Sequence, residues 1–358
     1  MADTRVEQAN AFAEALRTSK AKHIFVAIRG YPDPDSIASA WAHRRISEKL
    51  GIPCDAIHFD PVSRPENRAM LNLLELKIRK VVDPRELAAY DAYCLVDANE
   101  PRLPAGAPDL PCITIVDHHR LGETPRAPFV DLREDVGSTS TIYSEYLRFG
   151  PVGLPQDKKP ARALATALAY GIRSDTEELV RATPEDLEAL AWLQGSVDQD
   201  VLAALAHAEI APRTMEIIET ALASARVEGA LLFAGVGHVR EDDRDAIGQT
   251  ADFLLRREGI STAIVYGVVG GETIDGSLRT KSVALDPDEW LKETLGHDPQ
   301  TGRPYGGGRR GAGGFQVPLG LLASCPDREL QWSVVRATIE DRILGRLGVE
   351  EEEKAEAA

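Results

Sequence analysis

Apolar positions recur at helical spacing from Arg5 to Leu16, and the run that follows, His23 to Ile28, is short and apolar enough to form a strand. The same contrast repeats along the first half of the chain. Strand-like runs lie at Cys54 to Phe59, Ile78 to Val82, Tyr93 to Val96 and Ile113 to Val116, with helical patterns at Ile37 to Leu50 and Arg68 to Leu76 between several of them. Alternation of this kind predicts an α/β fold built on a mostly parallel sheet with helices on both faces. A polar segment, Gly137 to Thr141, then leads into a helix through Leu147. A second helix, Ala161 to Tyr170, is expected to end in a turn at Gly171 to Asp175, and helices at Leu187 to Leu193 and Val201 to Ala208 follow. Near Val227 the pattern changes to short strands (Ala230 to Ala234, Ser261 to Val269, Thr273 to Leu278) around one helical stretch at Gln249 to Glu258, and Leu330 to Leu347 reads as a closing helix. The expected organisation is a sheet domain over 1–210, a linker over 211–226, a smaller α/β domain over 227–348 and a disordered acidic tail over 349–358. No internal repeat is found.

A chain of 358 residues is long enough for about two domains with cores of their own. A net charge of −16 argues against a basic face laid along duplex DNA. No run of about 18 apolar residues exists to span a bilayer, and the N-terminal segment lacks the apolar stretch of a secretion signal, so a cytoplasmic protein with no membrane partner is expected. The four cysteines, Cys54, Cys94, Cys112 and Cys325, show no C-x-x-C spacing and read as free thiols in strand or core positions.

Candidate chemistry gathers where predicted strands end, the edge at which open α/β sheets present ligands. The first such segment reads Arg29-Gly-Tyr-Pro-Asp33-Pro-Asp35-Ser36, the second Leu95-Val96-Asp97, the third Asp117-His118-His119 and the fourth Gly171-Ile-Arg-Ser-Asp175-Thr176. Singly, each has a plain explanation: Asp33 or Asp35 as a helix cap, Asp97 or Asp175 as a turn residue, the histidines as surface polarity. Five carboxylates and two imidazoles at one edge would be costly without cations, and divalent metal is the natural neutraliser.

With these residues the chain resembles the DHH phosphoesterases, named for the triplet seen here as Asp117-His118-His119. The likeness extends in order through Asp33-x-Asp35, Asp97, the triplet, Gly137-Ser-Thr-Ser140 and Gly171-Ile-x-x-Asp175-Thr176. Farther on, Gly276-Ser-Leu-Arg279-Thr280 and Gly306-Gly-Gly-Arg309-Arg310-Gly-Ala-Gly-Gly-Phe315 look like the substrate-binding motifs of the associated DHHA1 domain, as in the nanoRNase and RecJ-like branch. The resemblance implies one or two divalent ions, manganese first and magnesium as the other choice. Asp97 would bridge them, Asp33 would help hold one, and Asp35, His118 and Asp175 would complete the other. His119 would lie near the substrate phosphate with Asp117 supporting the pair, while Arg279, the Gly306, Gly307 and Gly308 run, Arg309 and Arg310 would grip the far end of the substrate across an interdomain cleft.

Two positions depart from the family pattern. Arg29 stands where a metal-binding histidine usually opens the first motif, and a guanidinium has no lone pair for a metal. It would instead neutralise part of the acid cluster or contact phosphate. Arg309 replaces a histidine at the end of the glycine run, a milder change because guanidinium binds phosphate well. The implied activity is metal-dependent hydrolysis of short oligonucleotides or linear or cyclic dinucleotides, with a homodimer as an allowed assembly. The alternatives are a nucleotide-binding regulatory protein whose metal centre Arg29 has impaired, and an inorganic pyrophosphatase, which the glycine-rich motif disfavours.

Overall fold

The structure is a computed structural model that describes residues 4–62, 64–119, 125–206, 210–309 and 311–347. The acidic tail and Arg310 lie outside the described residues. The chain divides into two compact units, Met1–Glu209 and Ile210–Ala358.

The first unit runs α1 (Thr4–Thr18), β1 (Ile24–Ile28), α2 (Pro34–Lys49), β2 (Cys54–His58), α3 (Pro65–Leu73), β3 (Arg79–Lys80), β4 (Ala92–Val96), β5 (Cys112–Asp117), β6 (Phe129–Leu132), α4 (Thr139–Phe149), α5 (Lys158–Asp175), α6 (Pro184–Leu193) and α7 (Gln199–Ala206). Its strands pair in parallel in the order β3-β2-β1-β4-β5-β6. The order reverses direction between β1 and β4, so the chain leaves those two strands on opposite sides and opens a crevice beyond their C-terminal ends. Alternation along β1 divides the core. Ile24, Val26 and Ile28 pack under α1, α2, α4 and α5. Phe25 and Ala27 face the other way with Ile57, Tyr93, Leu95 and Ile115, covered by Leu87, Tyr90 and apolar residues of the 98–110 stretch. Helices were expected on both faces; among the described residues no α-helix joins this second cluster, because the 84–111 region supplies a short 3-10 turn (Pro84–Ala89) and irregular chain instead. Strand β6 has no counterpart among the expected elements.

The second unit contains α8 (Pro212–Ser224), β7 (Arg226–Glu228), β8 (Leu231–Val239), α9 (Asp245–Leu254), β9 (Thr262–Val269), β10 (Thr273–Thr280), α10 (Pro287–Leu295), β11 (Gly306–Arg309), β12 (Ala312–Pro318) and α11 (Arg328–Leu347). The sheet order is β11-β12-β10-β9-β8-β7, with only β8 and β9 parallel among its named pairs. Ile217 and Ala221 of α8 and Ala246, Ile247 and Ala251 of α9 pack on one face, whereas Leu291 of α10 and Val335, Ile339 and Ile343 of α11 pack on the other. The segment expected to be a linker is therefore largely helix. The glycine run expected to be a phosphate-gripping loop is a pair of strands. A Cβ on Gly306 would stand 2.9 Å from Leu291 Cβ, and one on Gly313 would stand 2.7 Å from Leu291 Cδ1, so glycine here lets α10 lie close on the β11–β12 ribbon. No helix of the described residues is long and apolar enough to cross a membrane.

Candidate metal centre

The turn after β1 starts α2 with a reciprocal cap: the Ser36 amide donates to Asp33 Oδ1 at 2.9 Å, and the Asp33 amide donates to Ser36 Oγ at 3.0 Å. One oxygen of Asp33 is thus engaged by the helix start. Asp35 lies inside the first turn of α2 and is fully buried. Its carboxylate meets the N-terminus of α4, where the Thr139 amide donates to Oδ2 and the Ser140 amide to Oδ1, each at 2.7 Å. Those amides are the unpaired donors of a helix start, and their dipole favours the anion. Ser138 caps the same helix by accepting from the Thr141 amide at 3.1 Å.

Asp97 ends β4 with a φ of 54°, an unusual left-handed conformation for a non-glycine residue. Its amide still pairs with Val116 O at 2.9 Å, so the distortion turns the side chain without detaching the strand. Asp97 Oδ1 accepts from Thr139 Oγ1 at 3.0 Å. At the end of β5, Asp117 Oδ1 accepts from the His118 amide at 2.9 Å and from His119 Nδ1 at 2.8 Å, while Oδ2 accepts from Asn99 Nδ2 at 2.8 Å. Asp175 arrives from elsewhere. The expected turn at Gly171 to Asp175 is the last stretch of α5, and Gly171 is glycine because a Cβ there would stand 2.4 Å from Ser140 Oγ and 3.2 Å from Asp35 Cα.

His118 is where these pieces meet. Its Nε2 lies 2.8 Å from Asp175 Oδ2, 3.6 Å from Asp97 Oδ1 and 3.9 Å from Asp35 Oδ2. This nitrogen is buried yet makes no aligned hydrogen bond. Two overlapping trios, Asp97-His118-His119 and Asp35-His118-Asp175, each have ligand atoms within 4.8 Å of one another. Burial, then the Asp175 charge, drives the Asp35 carboxyl up to about 7. Burial, then Asp35, likewise drives Asp97 well above the usual carboxylate range. Burial alone would lower His118, but the adjacent Asp175 and Asp35 carboxylates outweigh it and hold the imidazolium up to about 9. Asp117 goes the other way: its burial is outweighed by His119, and it stays below the ordinary value. A metal-free cluster must take up protons, and a divalent ion would displace them. Imidazole with several carboxylate oxygens is a donor set suited to manganese, zinc or iron, and with its orphaned buried nitrogen the cluster fits an ion.

Residues 23–172 match the DHH family, N-terminal domain, a span that holds the Asp117-His118-His119 triplet and every other acidic residue of the cluster except Asp175. That span of the first unit is similar to the DHH family's N-terminal domain. An uncharacterized protein of Methanocaldococcus jannaschii is 37% identical over 90% of this chain and 64% of its own length. A probable manganese-dependent inorganic pyrophosphatase of Lactobacillus gasseri is 31% identical over 46% of this chain and 52% of its own. The chain thus spans less than two thirds of either relative. Among solved structures, an exopolyphosphatase-related protein from Bacteroides fragilis aligns over 95% of this chain and 97% of its own with a TM-score of 0.65 at 14% identity. RecJ from Thermus thermophilus in complex with Mn2+ aligns over 94% of this chain and 54% of its own with a TM-score of 0.50 at 18% identity. These two likenesses establish a shared fold.

Within the matched span Arg29 does not join the acid cluster. Its guanidinium donates to Glu100 O at 2.7 Å and lies 3.7 Å from Glu100 Oε2, so it fastens the turn after β1 to the chain after β4. In the second unit Arg279 donates to Asp252 Oδ1 at 2.8 Å and Ser277 Oγ at 2.6 Å. Arg309 and Arg279 are both registered opposite Ala312, which puts them on one row of the sheet, and Arg309 is exposed. In the glycine run expected to grip the substrate, the Gly308 amide donates to Asp288 Oδ1 at 3.1 Å. Sequence reasoning missed Asn99, the two α4 amides and Asp186. Buried Asp186 holds the approach to α4 by accepting from the Gly137 amide at 3.0 Å, Thr141 Oγ1 at 2.5 Å and Thr183 Oγ1 at 2.8 Å. The Gly-Ser-Thr-Ser run marked the place, but backbone donors carry no side-chain signature.

Proposed function

We propose that this chain is a metal-dependent phosphoesterase acting on short oligonucleotides or linear or cyclic dinucleotides. The observation that carries the reading is His118 Nε2, buried, without a hydrogen bond and within 3.9 Å of three carboxylates on three different elements. Asp35, Asp97, His118 and Asp175 would hold one or two ions, with manganese favoured by the likeness to a probable manganese-dependent pyrophosphatase. Bound metal would supply a Lewis acid for a phosphoryl oxygen and a water of lowered pKa. Asp117 holds Nδ1 of His119, which fixes the ring and leaves Nε2 for a substrate oxygen; at 40% side-chain exposure, His119 is reachable from solvent. Arg279 and Arg309, on one row of the second unit's sheet, would supply guanidinium groups to a phosphate, and Arg279 is held in place by Asp252 and Ser277.

A second reading has its own observation. Arg29 offers no lone pair for a metal and one oxygen of Asp33 is engaged by the start of α2, so the Asp97-His118-His119 side would lack ligands that the family pattern supplies there. A one-ion protein would bind nucleotide with little turnover. Purified protein should therefore be assayed with Mn2+ against a dinucleotide, a cyclic dinucleotide and pyrophosphate, beside His118→Ala. Release of mononucleotide that disappears in the variant supports the phosphodiesterase; nucleotide binding without release supports the binder; cleavage of pyrophosphate alone supports neither.

A further inference from the structure

We propose that Thr139 is a positioning residue that ties the two carboxylate sides of the metal centre together. Resting on the metal reading above, the inference starts from one residue with two roles. The Thr139 amide donates to Asp35 Oδ2 at 2.7 Å, and its hydroxyl donates to Asp97 Oδ1 at 3.0 Å. Asp35 belongs to one candidate ligand trio and Asp97 to the other. Thr139 itself is fully buried, so neither bond is traded for water.

The hydroxyl bond has a directional consequence. A carboxylate oxygen has two lone pairs, and Thr139 takes one of those on Asp97 Oδ1, the oxygen that faces His118 Nε2 at 3.6 Å and His119 Nδ1 at 3.7 Å. The remaining lone pair of Oδ1 and both on Oδ2 are then presented in a fixed direction. The bond also gives the distorted Asp97 backbone a second anchor beyond its Val116 pairing. Supporting groups of this kind set ligand orientation, and their removal weakens metal binding by about 10- to 100-fold. The threonine of the Gly137-Ser-Thr-Ser140 run is thereby a functional residue of the centre as well as the first residue of α4.

The test is Mn2+ binding by calorimetry and by electron paramagnetic resonance on wild type, Thr139→Val and Thr139→Ser, with thermal unfolding on each. Valine keeps the shape and removes the hydroxyl; serine keeps the hydroxyl and removes the methyl. Thr139→Val should lose about 10-fold or more in Mn2+ affinity and alter the Mn2+ spectrum, while Thr139→Ser stays within about 3-fold of wild type. If Thr139→Val does not fold, Thr139→Ala against Thr139→Ser carries the same contrast. Wild-type affinity in the variant lacking the hydroxyl, or a serine variant as weak as it, overturns the inference alone. A wild type that takes up no Mn2+ overturns the metal reading and this inference with it.

Discussion

Replacing Gly171 by alanine sets two effects of known sign against each other. In the interior of a helix, alanine is better than glycine by about 1 kcal/mol, so a Gly171→Ala variant of α5 with free surroundings would be stabilised. The surroundings are not free. The new methyl would stand 2.4 Å from Ser140 Oγ and 3.2 Å from both Asp35 Cα and Pro34 O. The serine hydroxyl has no hydrogen bond to lose and can rotate aside, but the backbone of α2 cannot. Moving α5 off α2 by a few tenths of an ångström is the remaining relief. Overpacking of this kind costs about 1–3 kcal/mol, so after the propensity gain a net loss of about 1 kcal/mol is expected. In a unit of this size that is a fall of about 2–4 °C in Tm. The displacement falls on Asp35 at the contact and on Asp175 at the end of the same helix, so Mn2+ affinity should drop as well. Gly345 in α11 is the control, with nothing within 4 Å of its added Cβ, and Gly345→Ala should stabilise by up to about 1 kcal/mol. Calorimetric unfolding and Mn2+ titration of both variants decide the matter. A Gly171→Ala protein as stable as the Gly345→Ala protein, with Mn2+ binding intact, would refute the close-approach argument.

The metal-free protein should lose stability as pH rises. Asp35 holds its proton to about 7 in the folded state against 3.8 unfolded, and His118 to about 9 against 6.5, so in each window the folded state binds more protons and the slope of stability with pH is negative. Unfolding in chelator from pH 5 to 9 should show this trend, and saturating Mn2+ should reverse it by binding the deprotonated groups; a rising trend in chelator would contradict the assignment. Asp186→Ala leaves the Gly137, Thr141 and Thr183 donors without their acceptor and should cost about 3–5 kcal/mol by urea unfolding, whereas a loss under 1 kcal/mol would show that water replaces it. Arg29→His should raise Mn2+ affinity or stoichiometry; no change in either would mean that the position does not reach the centre.

Strands β1, β2, β4 and β5 were legible because each is a short apolar run bounded by polar turns, and the residues at their ends inherit their place from that pattern. Asp35, Asp97, His118 and Asp175 do come together. What escaped had physical reasons. Gly171 reads as a turn residue in one dimension, yet in three it is the helix position where α2 and α4 approach too closely for a side chain. Helix α8 buries Ile217, Ile218 and Ala221 but exposes Met215 and Leu222, which blurs its apolar stripe into a linker-like pattern. Gly306 and Gly313 look like loop residues until Leu291 of α10 is seen lying against them. The donors on Asp35 are main-chain amides, visible only once α4 is aimed at α2.

The most direct test of the metal centre is anomalous diffraction from crystals soaked in Mn2+. The expected result is a strong peak bonded to His118 Nε2, with oxygens of Asp35, Asp97 or Asp175 completing its shell, and any second peak on the Asp97 and His119 side. No peak at His118 under conditions where Mn2+ binds in solution, or an ion held elsewhere in the first unit, would contradict the assignment of these residues as a metal centre.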